Sequence, residues 1–443
     1  MDFSTLIPQF GNLAFTLGAF ILALLVIVAI HEYGHYIVGR WCGIHSEKFS
    51  LGFGPVIWSR RDKRGTLWQI AALPVGGFVK FLGDNNAASV GGEIREGVDP
   101  RRTMLGAPLW ARAATVAAGP MANFLLSALI FIGLFSMQGR TAEPLQIERL
   151  TALPPAFTQE LAPGDTLLAV GDQQIETLSD FSTALDAAPE AETVPYTVER
   201  DGQRMTVSGP HPLPPVAQSI SPRSAAYRAG MEQGDVITAI DGTPVFSFPQ
   251  IKAAVEAGQG ASLTLTLWND GTSRDVTLTP KVTDLPSADG GFETRYLIGI
   301  VGGALFEPVT EAPGLWTVLS GSVMQVWDII AKSMSGLWHM LTGAISTCNL
   351  SSPIGIADTS GAMAAQGTES FIFFIAFLST AVGLMNLFPI PVLDGGHLVF
   401  HAWEAVTGKP PSARALRIAT TLGFSLILTL MGFAMLNDLI FCR

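Results

Sequence analysis

Four long stretches of this chain are apolar and contain no charged residue. Each is close to the roughly 20 residues that an α-helix needs to cross a bilayer. Only 14% of the 443 residues are charged and 48% are hydrophobic, whereas a soluble domain carries about 25% charged residues. The predicted fold class is therefore a multi-pass α-helical membrane protein with four transmembrane helices. The stretches are residues 13–30, 113–139, 371–393 and 418–437.

Basic residues set the predicted orientation of these helices. From Arg40 to Arg112 there are 11 lysines and arginines, and such residues accumulate in cytoplasmic loops. Both termini and residues 140–312 are then expected on the opposite side. A cleaved signal peptide is the alternative for the first stretch, but Asp2 stands where a basic leader belongs.

Residues 140–312 contain an internal repeat. Residues 161–167 align with residues 231–237 at an offset of 70, and residues 181–185 align with residues 251–255 at the same offset. Each copy is predicted to hold a Gly-Asp turn, short strands and a short helix, so we expect two tandem α+β domains. The segment carries 23 acidic and 10 basic residues, which predicts a soluble region and no nucleic-acid partner.

The second copy resembles a PDZ domain of the kind attached to bacterial proteases, through residues 224–231 and 240–245. PDZ domains bind extended peptides by adding a strand to a sheet edge, so this copy is expected to bind peptide termini. The first copy departs from the pattern, since residues 159–160 are Gln and Glu where the second has Ala and Gly. A plain β-rich spacer is the alternative for both PDZ-like domains.

A membrane-associated β-hairpin is predicted in the cytoplasmic loop. Residues 49–58 and 66–73 are apolar and strand-like, and a polar turn joins them. An unpaired edge of this hairpin is a candidate site for holding a substrate in extended form, and a simple β-cap is the alternative. Residues 74–80 are predicted to form a flexible turn. The candidate substrate-binding residues here are Ile70, Ala71, Gly76 and Gly77.

His31, Glu32 and His35 form an HExxH motif where the first apolar stretch ends. Histidines four positions apart share one face of a helix, so both can bind one Zn²⁺ beside the intervening carboxylate. Asp394 follows a stretch broken by two prolines, and on the predicted topology it reaches the same side of the membrane. The sequence predicts His31, His35 and Asp394 as zinc ligands, and Glu32 as the catalytic acid/base.

A rival histidine pair, His397 and His401 with Glu404 nearby, has no acid between its members. Packing or a hydrogen bond is predicted for this pair instead. Surface or structural roles are predicted for the isolated histidines, which are His45, His211 and His339.

The cysteines have no metal-binding spacing and do not form an even disulfide framework. Cys42, Cys348 and Cys442 are expected to be free thiols, and a bridge between Cys348 and Cys442 is the alternative.

Residues 313–346 are predicted to form an amphipathic helix on the outer leaflet, because apolar residues recur at helical spacing and only Asp328 and Lys332 are charged. A fifth membrane span is the alternative. The predicted segments are 1–38 (first span with HExxH), 39–112 (β region), 113–139 (second span), 140–210 and 211–312 (PDZ-like domains), 313–366 (amphipathic helix and connector), 367–394 (third span), 395–416 (cytoplasmic interfacial segment) and 417–443 (fourth span and C-terminus).

Over nearly its whole length the chain resembles the site-two protease family of intramembrane metalloproteases. The resemblance implies a zinc metalloendopeptidase of the bacterial inner membrane, with its active site near the cytoplasmic face and the PDZ-like pair in the periplasm. It also implies the same four site residues, and Asn386 matches the family asparagine that helps to hold the substrate strand. The shared motifs are residues 31–35, 49–55, 74–80, 117–124, 350–357 and 386–397.

The implied substrates are transmembrane segments of single-span membrane proteins already trimmed on the periplasmic side. An anti-sigma factor in an envelope stress response is one such substrate, and remnant signal peptides are a further class. The PDZ-like pair would act as a size filter. The alternatives to a protease are a metal transporter or metal-dependent chaperone, which would place ligands along a path through the bilayer, and an inactive PDZ scaffold, which would not need Glu32.

Overall fold

A computed structural model describes residues 6–83, 99–286 and 292–441 of the chain. The chain divides into two compact units, one formed by Met1–Leu134 and Trp316–Arg443 and the other by Phe135–Leu315. Four helices in the described ranges are long and apolar enough to cross a membrane, which confirms the predicted fold class. They cover Leu13–Trp41, Leu109–Gln138, Thr368–Asn386 and Ala413–Phe441.

The first unit begins with a long helix, a β-ribbon and a second long helix. The HExxH motif lies inside the first of these helices, which continues to Trp41, so its residues are held in regular helical geometry. The elements are α1 (Leu6–Trp41), β1 (Ser46–Arg61), β2 (Leu67–Phe81) and α2 (Leu109–Gln138).

β1 and β2 pair antiparallel, as the hairpin prediction requires, but the ribbon folds back on itself. Its outer part pairs Val56 with Ala71 and continues to the turn, while its inner part pairs residues 46–51 of β1 with residues 77–81 of β2. Residues 48–51 are also aligned with residues 67–70. Residues 48–51 of β1 therefore lie between two segments of β2.

The prediction of a flexible turn at residues 74–80 is wrong, because these residues continue β2. Gly76 has a φ of +147°, and the facing strand has Gly52 at +87° and Gly54 at +84°. Residues other than glycine rarely adopt such angles. The glycines therefore bend the two strands without ending them.

The second unit contains the two copies of the repeat. Each copy has a four-stranded sheet and a ten-residue helix, in the orders β6-β5-β7-β8 with α3 and β11-β10-β12-β13 with α5. The second copy also has the short helix α4. The first strand and the ten-residue helix of the second copy begin 70 positions after those of the first, at the offset seen in the sequence. The elements are β3 (Arg140–Thr141), β4 (Ile147–Leu150), β5 (Thr166–Val170), β6 (Gln173–Gln174), α3 (Leu178–Ala187), β7 (Val194–Arg200), β8 (Gln203–Gly209), β9 (Ala217–Ile220), α4 (Ala225–Arg228), β10 (Val236–Ile240), β11 (Thr243–Pro244), α5 (Phe248–Ala257), β12 (Leu263–Asn269), β13 (Thr272–Leu278), β14 (Lys281–Pro286), β15 (Phe292–Leu297), β16 (Ile300–Gly302), β17 (Phe306–Pro308) and β18 (Thr310–Glu311).

The chain returns to the first copy after it has completed the second. β16 pairs with β9 of the second copy, but β17 pairs with β4 and β18 pairs with β3. Leu305 and Phe306 belong to the buried core of the first copy. Residues 305–311, which the predicted boundary at 211–312 assigned to the second domain, therefore complete the first.

Both copies bury the aspartate of their Gly-Asp turn. The Asp165 carboxylate accepts hydrogen bonds from Arg200 Nε at 2.6 Å and from the backbone N–H of Ala162 at 2.9 Å. In the second copy Asp235 accepts from Arg274 Nη2 at 2.8 Å and from the corresponding backbone N–H of Glu232. Burial by itself raises the pKa of Asp165, but the arginine and the backbone donor outweigh it and hold the pKa below its ordinary value.

The remaining helices return to the first unit. Two of them, α8 and α10, belong to the candidate membrane spans. Ser412 caps α10 through its hydroxyl, which fixes the start of the last span. The helices are α6 (Leu315–Leu341), α7 (Pro353–Ala365), α8 (Thr368–Asn386), α9 (Asp394–Thr407) and α10 (Ala413–Leu436).

α6 is the amphipathic helix that the sequence predicts, although it ends five residues before residue 346. Val318, Val326 and Ile329 are buried, whereas Trp316 and Trp327 are 79% and 63% exposed. Among the helices in the described ranges, α6 is not one of the candidate spans, so the alternative of a fifth span is not supported. Its position on the outer leaflet stays a prediction.

α7 lies in the predicted connector and was not expected as a helix. Ser352 caps it, and Pro353 occupies its first turn. It packs against α1 so closely that a Cβ on Gly361 would overlap Thr16.

The expectation of three free thiols is wrong at one position. Cys42 is free, but Cys348 is disulfide-bonded. Cys442 lies outside the described residues.

Candidate metal centre

The two histidines of the HExxH motif project from one face of α1, as their spacing predicts. Their Nε2 atoms lie 3.2 Å apart. Asp394 is the first residue of α9, and its Oδ2 lies 3.1 Å from His31 Nε2 and 3.4 Å from His35 Nε2. The fold thus brings together the three residues that the sequence predicts as zinc ligands.

A tight turn between α8 and α9 places Asp394 beside the two histidines. α8 ends at Asn386, and the following segment to Leu393 contains the two prolines and is not helical. Gly395 and Gly396 lie directly against this turn, because a Cβ on Gly395 would overlap the Leu387 backbone. Because they have no Cβ, the two glycines let the start of α9 pack directly against the backbone that follows α8.

The distances among the three donor atoms fit zinc. In a tetrahedral zinc site with bonds of about 2.0–2.2 Å, neighbouring donor atoms lie roughly 3.3–3.5 Å apart. The three separations here, from 3.1 to 3.4 Å, match one face of such a tetrahedron. Asp394 Oδ2 is buried and has no aligned hydrogen-bond donor in the described part of the chain, despite its closeness to both rings. A buried carboxylate oxygen that lies beside two imidazole nitrogens and accepts no hydrogen bond fits the role of a metal ligand.

No other group of three or more potential metal ligands occurs within residues 6–83, 99–286 and 292–441. His397 and His401 do not join the cluster. Burial lowers the pKa of His397, and burial together with Arg112 lowers the pKa of His401 to about 4. The packing or hydrogen-bonding role of this pair stays a prediction.

α2 approaches the histidines without an intervening side chain. A Cβ on Gly119 would overlap His35 Nε2 and would lie 2.8 Å from His31 Nε2. A Cβ on Gly34 would likewise overlap the Ala118 carbonyl oxygen. Glycine at both positions lets the two helices touch at the metal centre. The sequence showed Gly119 only as part of a family motif.

Each imidazole also contacts α2 through its other nitrogen. His35 Nδ1 donates a hydrogen bond to the Thr115 carbonyl at 2.8 Å. His31 Nδ1 lies 3.2 Å from Asn123 Nδ2. These partners were not predicted, because nothing in a single sequence distinguishes them from other polar residues of an apolar helix.

Glu32 faces the innermost part of β2. A Cβ on Gly77 would lie 3.0 Å from Glu32 Cγ, so glycine there leaves the carboxylate its space. Gly77 of β2 and Glu32, the predicted acid/base, are thus immediate neighbours.

A cavity of about 220 Å³ opens on these groups. It is lined by His31, Glu32, His35 and Asp394, together with Gly77 and Asn386 from the predicted substrate-binding set. The lining in the described part of the chain does not include Ile70, Ala71 or Gly76. Ala71 instead pairs with Val56 in the outer part of the ribbon, Ile70 is aligned with both Trp58 and Leu51, and Gly76 lies beside the Phe53 ring. His397 also lines the cavity, although the sequence suggested only packing for it.

The chain is similar to known proteases over nearly its whole length. Residues 19–430 match the model of peptidase family M50. A relative from Agrobacterium fabrum that bears a zinc metalloprotease name is 34% identical over 443 residues, with 98% of each chain covered. The regulator of sigma-E protease RseP of Escherichia coli is 32% identical over 452 residues, covering 95% of this chain and 98% of the relative. A relative from Rhizobium meliloti, also with a zinc metalloprotease name, is 35% identical with 97% of each chain covered.

Proposed function

The chain belongs to peptidase family M50 and is a zinc metalloprotease, and from this premise we propose that it cleaves transmembrane segments of single-span membrane proteins. The observation that carries the proposal is the depth of the site. His31, Glu32 and His35 lie within the candidate span Leu13–Trp41, so a substrate must present its peptide bond beside apolar helices. Ionisable groups at such depth need a functional reason.

In the proposed site, His31, His35 and Asp394 hold Zn²⁺, and the Asp394 carboxylate offsets part of its charge. When bound, zinc polarises a carbonyl group and lowers the pKa of water toward neutrality. Glu32 takes the proton of the attacking water and passes it to the leaving amine. Gly77 of β2 leaves the Glu32 side chain its space beside these groups.

The substrate is proposed to bind as an extended strand between β2 and the end of α8. A transmembrane helix hides its backbone in internal hydrogen bonds, so it must open before its peptide bond can be cut. Gly77 and Asn386 line the cavity from opposite elements. Asn386 Nδ2 donates to the Val382 carbonyl at 3.0 Å, which leaves its amide oxygen as an acceptor for a substrate N–H.

The finer parts of the proposal rest on the likeness to RseP. We place the chain in a bacterial inner membrane, with the metal centre near the cytoplasmic face and the second unit in the periplasm. The proposed substrates have already been trimmed on the periplasmic side, as an anti-sigma factor or a remnant signal peptide would be. The PDZ-like pair would then screen substrates by size, and its second copy would bind peptide termini.

The test uses the purified full chain in detergent and a model single-span substrate. Three forms are compared: wild type, Glu32→Gln, and zinc-stripped protein before and after zinc is restored. We expect cleavage only by the wild type and the restored protein. Cleavage by Glu32→Gln at the wild-type rate would refute the proposed acid/base. Cleavage of a soluble unfolded peptide but never of the membrane substrate would refute the proposed substrate class.

A further inference from the structure

The two histidines of the metal centre have different partners at the nitrogen that points away from the cluster. For His35 that partner is the Thr115 carbonyl oxygen, an obligatory acceptor. Its Nδ1 therefore carries the proton and its Nε2 presents a lone pair toward Asp394 and His31. This is the tautomer that a ligand binding through Nε2 needs.

For His31 the partner atom is a donor. Asn123 Nδ2, 3.2 Å from His31 Nδ1, carries two hydrogens and has no lone pair to offer. If it donates to Nδ1, the neutral His31 ring holds its proton on Nε2, the atom that faces His35 and Asp394. That tautomer cannot bind a metal through Nε2.

Nothing else in the described part of the chain holds the Asn123 amide in this orientation. Asn123 is fully buried, and no donor in the described ranges reaches its Oδ1. Its backbone, in contrast, is fixed, since the Ser127 and Ser379 hydroxyls both donate to its carbonyl oxygen at 3.0 Å. A half-turn about the last side-chain bond exchanges the amide oxygen and nitrogen and leaves the helix in place.

We propose that in the zinc-loaded enzyme the Asn123 amide is turned so that its Oδ1 accepts a hydrogen bond from His31 Nδ1–H, which makes Asn123 a positioning residue for the metal. The inference rests on the proposed role of His31 as a ligand. It gives both histidines the same tautomer through two acceptors on α2, the Thr115 carbonyl and the Asn123 side chain. Removing such an outer partner typically weakens metal binding 10- to 100-fold.

Two substitutions separate an acceptor from a donor at this position. Asn123→Asp keeps an acceptor oxygen and loses the amide hydrogens, whereas Asn123→Leu has a similar size and neither group. Thr380→Val is the matched control, because Thr380 is also fully buried in a membrane helix, but its hydroxyl donates to the Ala376 carbonyl and contacts no histidine ring. Zinc affinity of the full chain in detergent is measured by competition with a chelator, and Co²⁺ spectra report the coordination geometry.

We expect Asn123→Leu to lose at least tenfold in zinc affinity, and Asn123→Asp and Thr380→Val to stay within about threefold of the wild type. If Asn123→Leu does not fold, Asn123→Ala takes its place. An affinity loss in Asn123→Asp as large as in Asn123→Leu would overturn the inference, as would wild-type binding by Asn123→Leu. Because zinc binding is measured without a substrate, a wild type that binds zinc but leaves membrane substrates intact would fail the proposed function alone.

Discussion

Arg112 and Glu404, 292 positions apart, form a two-pronged ion pair with N–O distances of 2.6 and 3.0 Å. Both side chains are largely buried, at 13% and 18% exposure, and Arg112 Nε also donates to the Ala107 carbonyl at 3.1 Å. The pair ties the start of α2 to α9, the helix that carries Asp394 at its first residue. His31 and His35 pack against α2, and Asp394 is the first residue of α9. The ion pair therefore holds the histidines and Asp394 at a fixed distance from each other.

The first prediction concerns this ion pair. Glu404→Gln leaves a buried guanidinium without its charge partner, which costs about 3 kcal/mol or more of unfolding free energy. We expect a lower thermal midpoint in detergent and several-fold weaker zinc binding. The double variant Arg112→Met with Glu404→Leu should recover much of the stability, because an apolar pair replaces the buried charges.

The control for that prediction is Glu307→Gln. Glu307 pairs with Arg149 at 2.6 Å, but both side chains are more than half exposed, so the change should cost less than about 1 kcal/mol. Unchanged zinc affinity in Glu404→Gln would show that the ion pair stabilises the fold without positioning Asp394.

The second prediction separates metal binding from proton transfer. His31→Ala, His35→Ala and Asp394→Ala should each abolish stoichiometric zinc, because three donors become two. Glu32→Gln should keep zinc at one ion per chain and lose at least about 100-fold in turnover, since a general base contributes that much. Metal content by elemental analysis and cleavage of the model substrate are measured on the same samples. Loss of zinc from Glu32→Gln would place Glu32 among the ligands instead.

Much of this site is predictable from the sequence because its chemistry is local. The spacing of His31 and His35 defines a helical face, and the prolines before Asp394 mark the place where a span ends. Asn123 could not be found in the same way, because its role depends on which atom of His31 it meets across two helices. The return of residues 305–311 to the first copy was equally hidden, since β17 and β4 are far apart in sequence and too short to show a pattern.

The third prediction tests the close contact between α1 and α2. Gly119→Ala places a methyl group where the His35 imidazole lies, so we expect more than a tenfold loss of zinc affinity and a lower thermal midpoint. Gly133→Ala is the matched control, because Gly133 is in the same helix and a Cβ there meets nothing within 4 Å. Alanine is favoured over glycine within a helix by up to about 1 kcal/mol, so this control should be neutral or stabilising. Equal behaviour of the two variants would contradict the packing described for Gly119.

The last prediction concerns the buried carboxylate of the first repeat copy and its dependence on pH. Arg200 and the Ala162 N–H hold the pKa of Asp165 below its value in the unfolded chain. The sign follows from this difference: the ion pair stabilises the folded copy above the unfolded pKa of about 3.9, and the stabilisation is lost as the pH falls through that value toward the folded pKa. At pH 7 we expect Asp165→Asn to destabilise this copy by about 2 kcal/mol, the typical contribution of a hydrogen bond to a charged group.

Hydrogen exchange of peptides from β5 and β7 in the full chain measures this effect. Wild type and variant are compared at the same pH, so that the intrinsic exchange rate cancels. The difference in protection should be large at pH 7 and should shrink as the pH is lowered toward 3. Asp172→Asn, an exposed aspartate in the next turn of the same copy, should exchange like the wild type throughout. A difference between wild type and Asp165→Asn that stays constant from pH 7 to pH 3 would mean that the charge of Asp165 does not stabilise the fold, and that only the shape of its side chain does.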